Sequence, residues 1–199
     1  KCGQVLGEEA RGRGKDVILA PGINIKRSSL CGRNFEYMSE DPYLAGEMAV
    51  PLIEGIQKAD VAACVKHFAL NNQETERLWV EVEVSDQALR EIYLPAFKKA
   101  VKKAGALSLM GAYNRYKGEH CCESKELLTD ILRKEWGYDG MVVSDWGAVH
   151  DTKKAAESAL DLEMSVTYDF DNYCLARPLK EAVEKGEISE GLIDEKVKN

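Results

Sequence analysis

The chain has 199 residues, 45% hydrophobic and 31% charged, with a formal net charge of -7. That balance suits a globular protein with a sizeable core, and no run of about 18 apolar residues offers a membrane span. The basic residues are scattered rather than striped, so nucleic acid is not expected as a partner.

Helical periodicity runs from Gln4 to Lys15, and Val17-Ile18-Leu19-Ala20 reads as a short buried strand stopped by Pro21-Gly22. The stretch from Asn24 to Tyr43 is a long loop rich in polar and aromatic residues, among them Lys26, Arg27, Arg33, Phe35, Tyr37, Glu40 and Asp41. Loops of that length in a compact domain usually carry function. A helix is predicted from Pro42 to Lys58, with Pro51 a point of kinking. Val61 to Val65 reads as the second strand and runs into Lys66-His67-Phe68. A polar segment, Asn71 to Arg77, follows.

From Trp79 to Ser85, Val80, Val82 and Val84 alternate with Glu81 and Glu83, the pattern of a half-exposed extended arm. Ser85 can cap a long helix through Lys103, with Leu89, Ile92, Tyr93, Ala96 and Val101 at helical spacing and Gly105 beyond its end. Leu107 to Met110 is a third strand, running into Gly111-Ala112-Tyr113-Asn114, and Ser124 caps a helix over Lys125 to Glu135 closed by Gly137. Met141-Val142-Val143-Ser144 is an apolar, β-branched strand that ends at Asp145-Trp146-Gly147, with a helical segment from Ala148 to Ala159 after it. Ser158 to Met164 reads as a fifth, shorter strand, and helices over Leu175 to Lys185 and Glu190 to Lys198 finish the chain.

Strand, polar loop and helix recur in that order, which predicts a parallel α/β architecture. A complete (β/α) barrel takes about 250 residues. With five strands at most, residues 1–199 are expected to form an incomplete TIM-type barrel, either a fragment or one part of an assembly. An open barrel exposes strand edges, so an oligomer, a domain-swapped assembly or a companion segment is expected. Lys1-Cys2-Gly3-Gln4 carries neither an initiator Met nor a signal-peptide core, as a processed or truncated start would. The six cysteines, at 2, 31, 64, 121, 122 and 174, form no Cys-x-x-Cys pair. They read as free thiols of a reducing compartment, which favours the cytoplasm, and neither a metal nor a cofactor is expected.

In a parallel barrel the strand ends share one face with the active-site mouth. Here they supply Lys66 and His67, then Met110 and Tyr113, then Asp145 and Trp146, with Arg33 from the loop after the first strand. An acid, cations and aromatics around one cavity suit a sugar: hydroxyls take polar partners, and the apolar face of a pyranose stacks on Trp or Tyr. Each residue has a structural alternative. Asp145 could cap the next helix, Tyr113 and Met110 could be core, and Arg33 and Arg77 could pair with Glu36 or Glu74 on the surface. His120 and His150 have no evident partners.

Five blocks in this order resemble the barrel domain of family 3 glycoside hydrolases, in particular its β-glucosidase branch. The first joins Gly22-Ile23-Asn24-Ile25-Lys26-Arg27, Cys31-Gly32-Arg33-Asn34-Phe35-Glu36-Tyr37 and Ser39-Glu40-Asp41-Pro42. The second joins Lys66-His67-Phe68 to Asn71-Asn72-Gln73-Glu74-Thr75-Glu76-Arg77. Leu89-Arg90-Glu91-Ile92-Tyr93-Leu94-Pro95-Ala96-Phe97, Met110-Gly111-Ala112-Tyr113-Asn114 and Val143-Ser144-Asp145-Trp146-Gly147 complete the set.

The resemblance implies a retaining hydrolase of β-glucosides or short β-linked oligosaccharides, working by double displacement with Asp145 as nucleophile. It implies sugar contacts from Arg33, Lys66 and His67, a further arginine in Arg77, Tyr113 close to the nucleophile, Met110 in the pocket and Trp146 on the aglycone side. It also implies an upstream barrel segment with a sugar-binding aspartate and a downstream α/β domain bearing the acid/base glutamate, neither of which lies in these 199 residues. A branch of the family that uses a histidine after the Lys-His block is not matched, because Ala69-Leu70-Asn71-Asn72-Gln73 holds none. A retaining mechanism needs an ionised carboxylate about 5 Å from a general acid; Lys66 and Arg77 are expected to lower the pKa of Asp145. Among the carboxylates of the chain, Glu74, Asp151 and Glu163 could be considered for the acid, without a motif behind any. A Schiff-base aldolase with Lys66 as nucleophile, and a sugar-binding or inactive barrel fragment, stand as alternatives.

Overall fold

The structure is a computed structural model that describes all 199 residues. In chain order it contains α1 (Cys2–Gly12), β1 (Val17–Ile18), α2 (Pro42–Gln57), β2 (Ala62–Phe68), β3 (Glu81–Val82), α3 (Asp86–Ala88), α4 (Pro95–Lys102), β4 (Ser108–Gly111), β5 (Arg115–Tyr116), β6 (Glu119–His120), β7 (Met141–Val143), α5 (Thr152–Glu157), α6 (Arg177–Glu184) and α7 (Gly191–Lys198). Four of the strands make one all-parallel sheet in the order β1-β2-β4-β7, with Val17 opposite Ala62, Cys64 opposite Ser108 and Ser108 opposite Met141. Neighbouring strands are joined by helical crossovers, so this is an open arc of a (β/α) barrel, incomplete as the composition of strands predicted.

Alternation along the strands sorts the two faces. Ala63, Val65, Leu109 and Val142 belong to the main core between sheet and helices. There the rings of Phe68, Phe97 and Trp136 pack edge to face, with centroids 5.3 and 5.8 Å apart. Cys64, Met110 and Val143 form a separate cluster on the concave face, packed against Trp146 and Met164. This second face is the side toward which the strand ends carry their polar residues.

The predicted strand Val17 to Ala20 is only two residues long and not buried: Val17 is 38% and Leu19 41% exposed. Within residues 1–199 it is the edge strand of the sheet, paired on one side only. The predicted fifth strand reduces to one parallel bridge between Val143 and Leu162. Side chains take the flanking hydrogen bonds that a ladder would use. Asp161 accepts from the Val142 N–H at 2.7 Å, and the Ser144 hydroxyl accepts from the Met164 N–H at 2.8 Å. The Asp161 side chain is buried and also paired with Arg133 at 2.5 Å.

The predicted helix Ser85–Lys103 is interrupted. Ser85 caps it through the Ala88 N–H as expected, but Leu89–Tyr93 winds as a π turn before α4 starts at Pro95. A proline has no N–H to donate and its ring crowds the preceding turn, so the widened turn accommodates it. Lys125–Glu135, capped by Ser124, is wound with the same i→i+5 bonds. The segment Ala148–Ala159 is helical only over α5, capped by Asp151, whose side chain accepts from the Lys154 N–H. The arm beginning at Trp79 alternates as predicted, with Val80, Val82 and Val84 half-buried and Glu81 and Glu83 exposed. It pairs as β3 with the β5–β6 hairpin, which turns at Lys117-Gly118 with positive φ at both positions.

Candidate active site

Three loops bring the site together, those after β1, β2 and β7, with Tyr113 added from the end of β4. Asp145 lies two residues past β7 and is 7% exposed. Its Oδ1 accepts from the Trp146 N–H at 2.8 Å, while its Oδ2 has no hydrogen-bond partner. The capping role is taken instead by Asp151, so Asp145 is not tied to the next helix. Nε2 of His67 lies 3.6 Å from Oδ2.

His67 is 1% exposed. Asn24, in the loop after β1, grips its backbone from both sides: Asn24 Nδ2 donates to the His67 carbonyl at 2.9 Å and Asn24 Oδ1 accepts from its N–H at 2.7 Å. The ring Nδ1 is 3.2 Å from the Tyr37 hydroxyl, which also donates to the Asn71 carbonyl at 3.3 Å. Burial, reinforced by Arg33, Lys66 and Arg77, pushes the imidazole down to about 2, so His67 is neutral at working pH. The contact with Asp145 is therefore a neutral ring against a carboxyl group, not an ion pair.

Two carboxylates order the cations. Glu36 accepts from Arg33 Nε at 2.5 Å through Oε1, and its Oε2 is ion-paired with Lys66 Nζ at 3.2 Å. Glu74 accepts from Arg77 Nη1 at 2.5 Å and from Asn71 Nδ2 at 3.1 Å. The surface pairing considered for Arg33 and Arg77 is thus real, but both pairs sit partly buried beside the site. The Arg77 guanidinium lies 4.9 Å from the centre of the Tyr113 ring, and the Tyr113 hydroxyl donates to the Trp146 carbonyl at 2.9 Å. Met110 is buried beneath Trp146, on the concave face.

Burial raises the pKa of Asp145, outweighing the Trp146 N–H, the Tyr113 hydroxyl and the charges of Arg33 and Arg77, all of which lower it. The expected downward shift from Lys66 and Arg77 is corrected on two counts. The net direction is upward because burial dominates, and the cations that oppose it are Arg33 and Arg77. Burial and the neighbouring Asp145 raise Tyr113 to about 12, so it remains a hydrogen-bond donor.

The carboxylates considered for a general acid are all committed elsewhere. Glu74 holds Arg77, Asp151 caps α5, and Glu163 accepts from the Leu175 N–H at 2.7 Å. Asn24, Glu36, Tyr37 and Glu74 are the site residues that strand-end reasoning passed over. They fix the positions of other side chains, and only Glu36 and Glu74, each three residues from an arginine, offered a local cue.

The Asn24 clamp carries a measurable load. Replacing Asn24 by Ala leaves the buried N–H and carbonyl of His67 without partners, a loss of about 2–4 kcal/mol for two such groups. Chemical denaturation is expected to register that loss, with Asn24→Asp, which keeps the acceptor, falling in between.

The family model described as the glycosyl hydrolase family 3 N-terminal domain matches residues 1–199. A β-glucosidase of Bacteroides ovatus is 53% identical over 98% of this chain and 27% of its own length. An exo-α-(1→6)-L-arabinopyranosidase of Bifidobacterium longum is 48% identical over 98% of this chain and 26% of its own. The structure of β-glucosidase 3B from Thermotoga neapolitana in complex with glucose superimposes with a TM-score of 0.95 at 46% identity, covering all of this chain and 28% of that one. The chain thus spans about a quarter of the length of the curated relatives it matches.

Proposed function

Because this chain belongs to glycosyl hydrolase family 3 as part of its N-terminal domain, we propose that it forms the nucleophile-bearing portion of a retaining glycoside hydrolase acting on β-glucosides or short β-linked oligosaccharides. The observation that carries this is Asp145: a buried carboxylate at a strand end, with one oxygen bonded to the Trp146 N–H and the other unpartnered on the concave side. A free oxygen in that place suits attack on an anomeric carbon, and double displacement needs such a nucleophile. Arg33, Lys66 and His67 are assigned to the hydroxyls of the terminal sugar. Arg77 and Tyr113 flank the nucleophile, Met110 lies below the pocket, and Trp146 stacks on the aglycone side.

Lys66 and Arg33 share Glu36, so their donor directions are set before substrate arrives, and orientation of this kind can remove several kcal/mol of barrier. The acid/base carboxylate is assigned to a part of the protein outside residues 1–199, as the family resemblance implies, and Glu74, Asp151 and Glu163 already have structural partners. Residues 1–199 are read as one partial barrel domain, completed by companion segments. The relatives named β-glucosidase favour a glucoside. The arabinopyranosidase at similar identity supports a second reading, a terminal arabinopyranoside, which a panel of aryl glycosides separates. The Schiff-base alternative is disfavoured because an ammonium held against the Glu36 carboxylate has no lone pair for attack on a carbonyl.

A 2-deoxy-2-fluoro-β-glucoside with an activated leaving group tests the assignment, since a good leaving group needs little help from an acid. After incubation with the intact natural protein, peptide mapping is expected to find one sugar on Asp145. A folded protein that remains unmodified, or one modified elsewhere, overturns the nucleophile assignment.

A further inference from the structure

Three loops that supply the inner site also meet a second time, further out. The loop after β2 carries Arg77 and, two residues on, Trp79. The segment after β4 carries Tyr113 and then His120 at the end of β6. The loop after β7 carries Asp145 and then His150. The outer residues of the three converge: the rings of His120 and His150 have centroids 4.1 Å apart, and Trp79 lies 5.2 Å from His150 and 5.8 Å from His120.

Within residues 1–199 this cluster is open, with His120 half-buried. Trp79 is 59% exposed and His150 is exposed beside it. Most of its polar side-chain atoms are free. His120 donates from Nδ1 to the Tyr113 carbonyl at 3.1 Å, which leaves Nε2 as a bare acceptor. The His150 ring and the indole N–H of Trp79 make no hydrogen bond within the protein, although the His150 backbone is anchored by its N–H to buried Glu123. Burial and the adjacent imidazole hold His150 below its ordinary value, so the ring is uncharged near neutrality. Tyr113 connects the two levels, since its carbonyl holds His120 while its hydroxyl reaches Trp146 next to Asp145.

Resting on the hydrolase reading, we propose that Trp79, His120 and His150 form an outer platform for a sugar ring on the leaving-group side of an oligosaccharide substrate. The indole offers the flat apolar surface on which a pyranose face stacks, and the imidazole nitrogens and indole N–H offer donors and acceptors to its hydroxyls. Because the platform is joined to the surroundings of Asp145 through Tyr113 and is not built on the nucleophile's own contacts, it serves substrates longer than a monosaccharide with a small aglycone.

The test uses the intact natural protein and its Trp79→Ala and Trp79→Tyr variants, with a β-1,4-linked glucose trisaccharide, glucose and the fluoro-glucoside as probes. Calorimetry is expected to give about tenfold weaker trisaccharide binding for Trp79→Ala, the size of a ring-stacking contribution. Glucose binding and the rate of Asp145 labelling stay unchanged, and Trp79→Tyr recovers most of the loss. Equal trisaccharide affinity in all three proteins overturns the platform, as does a parallel loss for glucose. Absent Asp145 labelling with the Trp79-dependent binding intact removes the hydrolase reading and its leaving-group assignment but leaves a sugar-binding surface.

Discussion

Asp145→Asn is expected to lower β-glucoside turnover by the intact protein at least about 10³-fold, to abolish covalent labelling by the fluoro-glucoside, and to raise the melting temperature. On the proposed assignment of Asp145 as nucleophile, the rate effect follows from replacing the attacking oxygen by an amide that cannot form the glycosyl ester; loss of a nucleophile in other hydrolases costs about 10⁶ in kcat, with a residue of rate supplied by binding alone. The stability effect follows from the structure of the site. Asp145 is buried, its Oδ2 has no partner, and the ring 3.6 Å away is neutral. An ionised carboxylate there is poorly compensated, and an amide removes the charge while keeping the shape.

The pH dependence gives the same prediction a sharper form. Burial raises the Asp145 pKa above the value of about 3.9 that an unfolded aspartate has. The folded protein therefore binds the proton more tightly than the unfolded one, and the stability of the wild type falls as pH rises between those two values. The advantage of Asp145→Asn should be small below the ordinary carboxylate range and complete above the raised pKa. Thermal melts of both proteins across the acid range measure it. A gain that shrinks with rising pH would mean that cations, not burial, dominate the carboxylate.

The same balance explains what could be read from the chain and what could not. Buried strands such as Val142-Val143 and caps such as Ser85 and Ser124 follow from local chemistry, and all are found where the pattern placed them. The residues gathered at the strand ends were likewise readable, because in a parallel arrangement chain direction alone brings them to one face. Missed features depend on long-range fit. The β5–β6 hairpin turns at Lys117-Gly118, which lacks the Asn or Asp that marks such turns, and the π turn before Pro95 depends on how α4 packs. The sign of the Asp145 shift required knowing how deeply the carboxyl is buried, which depends on how the strands and loops around it pack. His120 and His150 looked partnerless for the same reason: each finds the other only when two loops meet.

Glu36→Gln is expected to reduce kcat/KM for a β-glucoside about 10²-fold without unfolding the protein. The wild-type carboxylate is used at both ends, with Oε1 on Arg33 and Oε2 on Lys66. An amide has one acceptor oxygen and one NH₂ donor, so it can satisfy either cation but must turn a donor toward the other. One of the two side chains is then released from its place, and displacement of a positioning group by about 1 Å is enough for a 10²-fold loss. Repulsion between Arg33 and Lys66, which Glu36 neutralises in the wild type, works in the same direction. If Glu36 acts by holding these two donors, the added effect of Lys66→Met should be much smaller in the Glu36→Gln background than in the wild type, because the donor is already misplaced. Independent, additive losses would mean instead that Lys66 is positioned without Glu36 and that the carboxylate serves only to balance charge. Kinetics on the four proteins of that cycle, with denaturation curves to confirm equal folding, distinguish a built sugar subsite from a cluster of ion pairs that happens to border one.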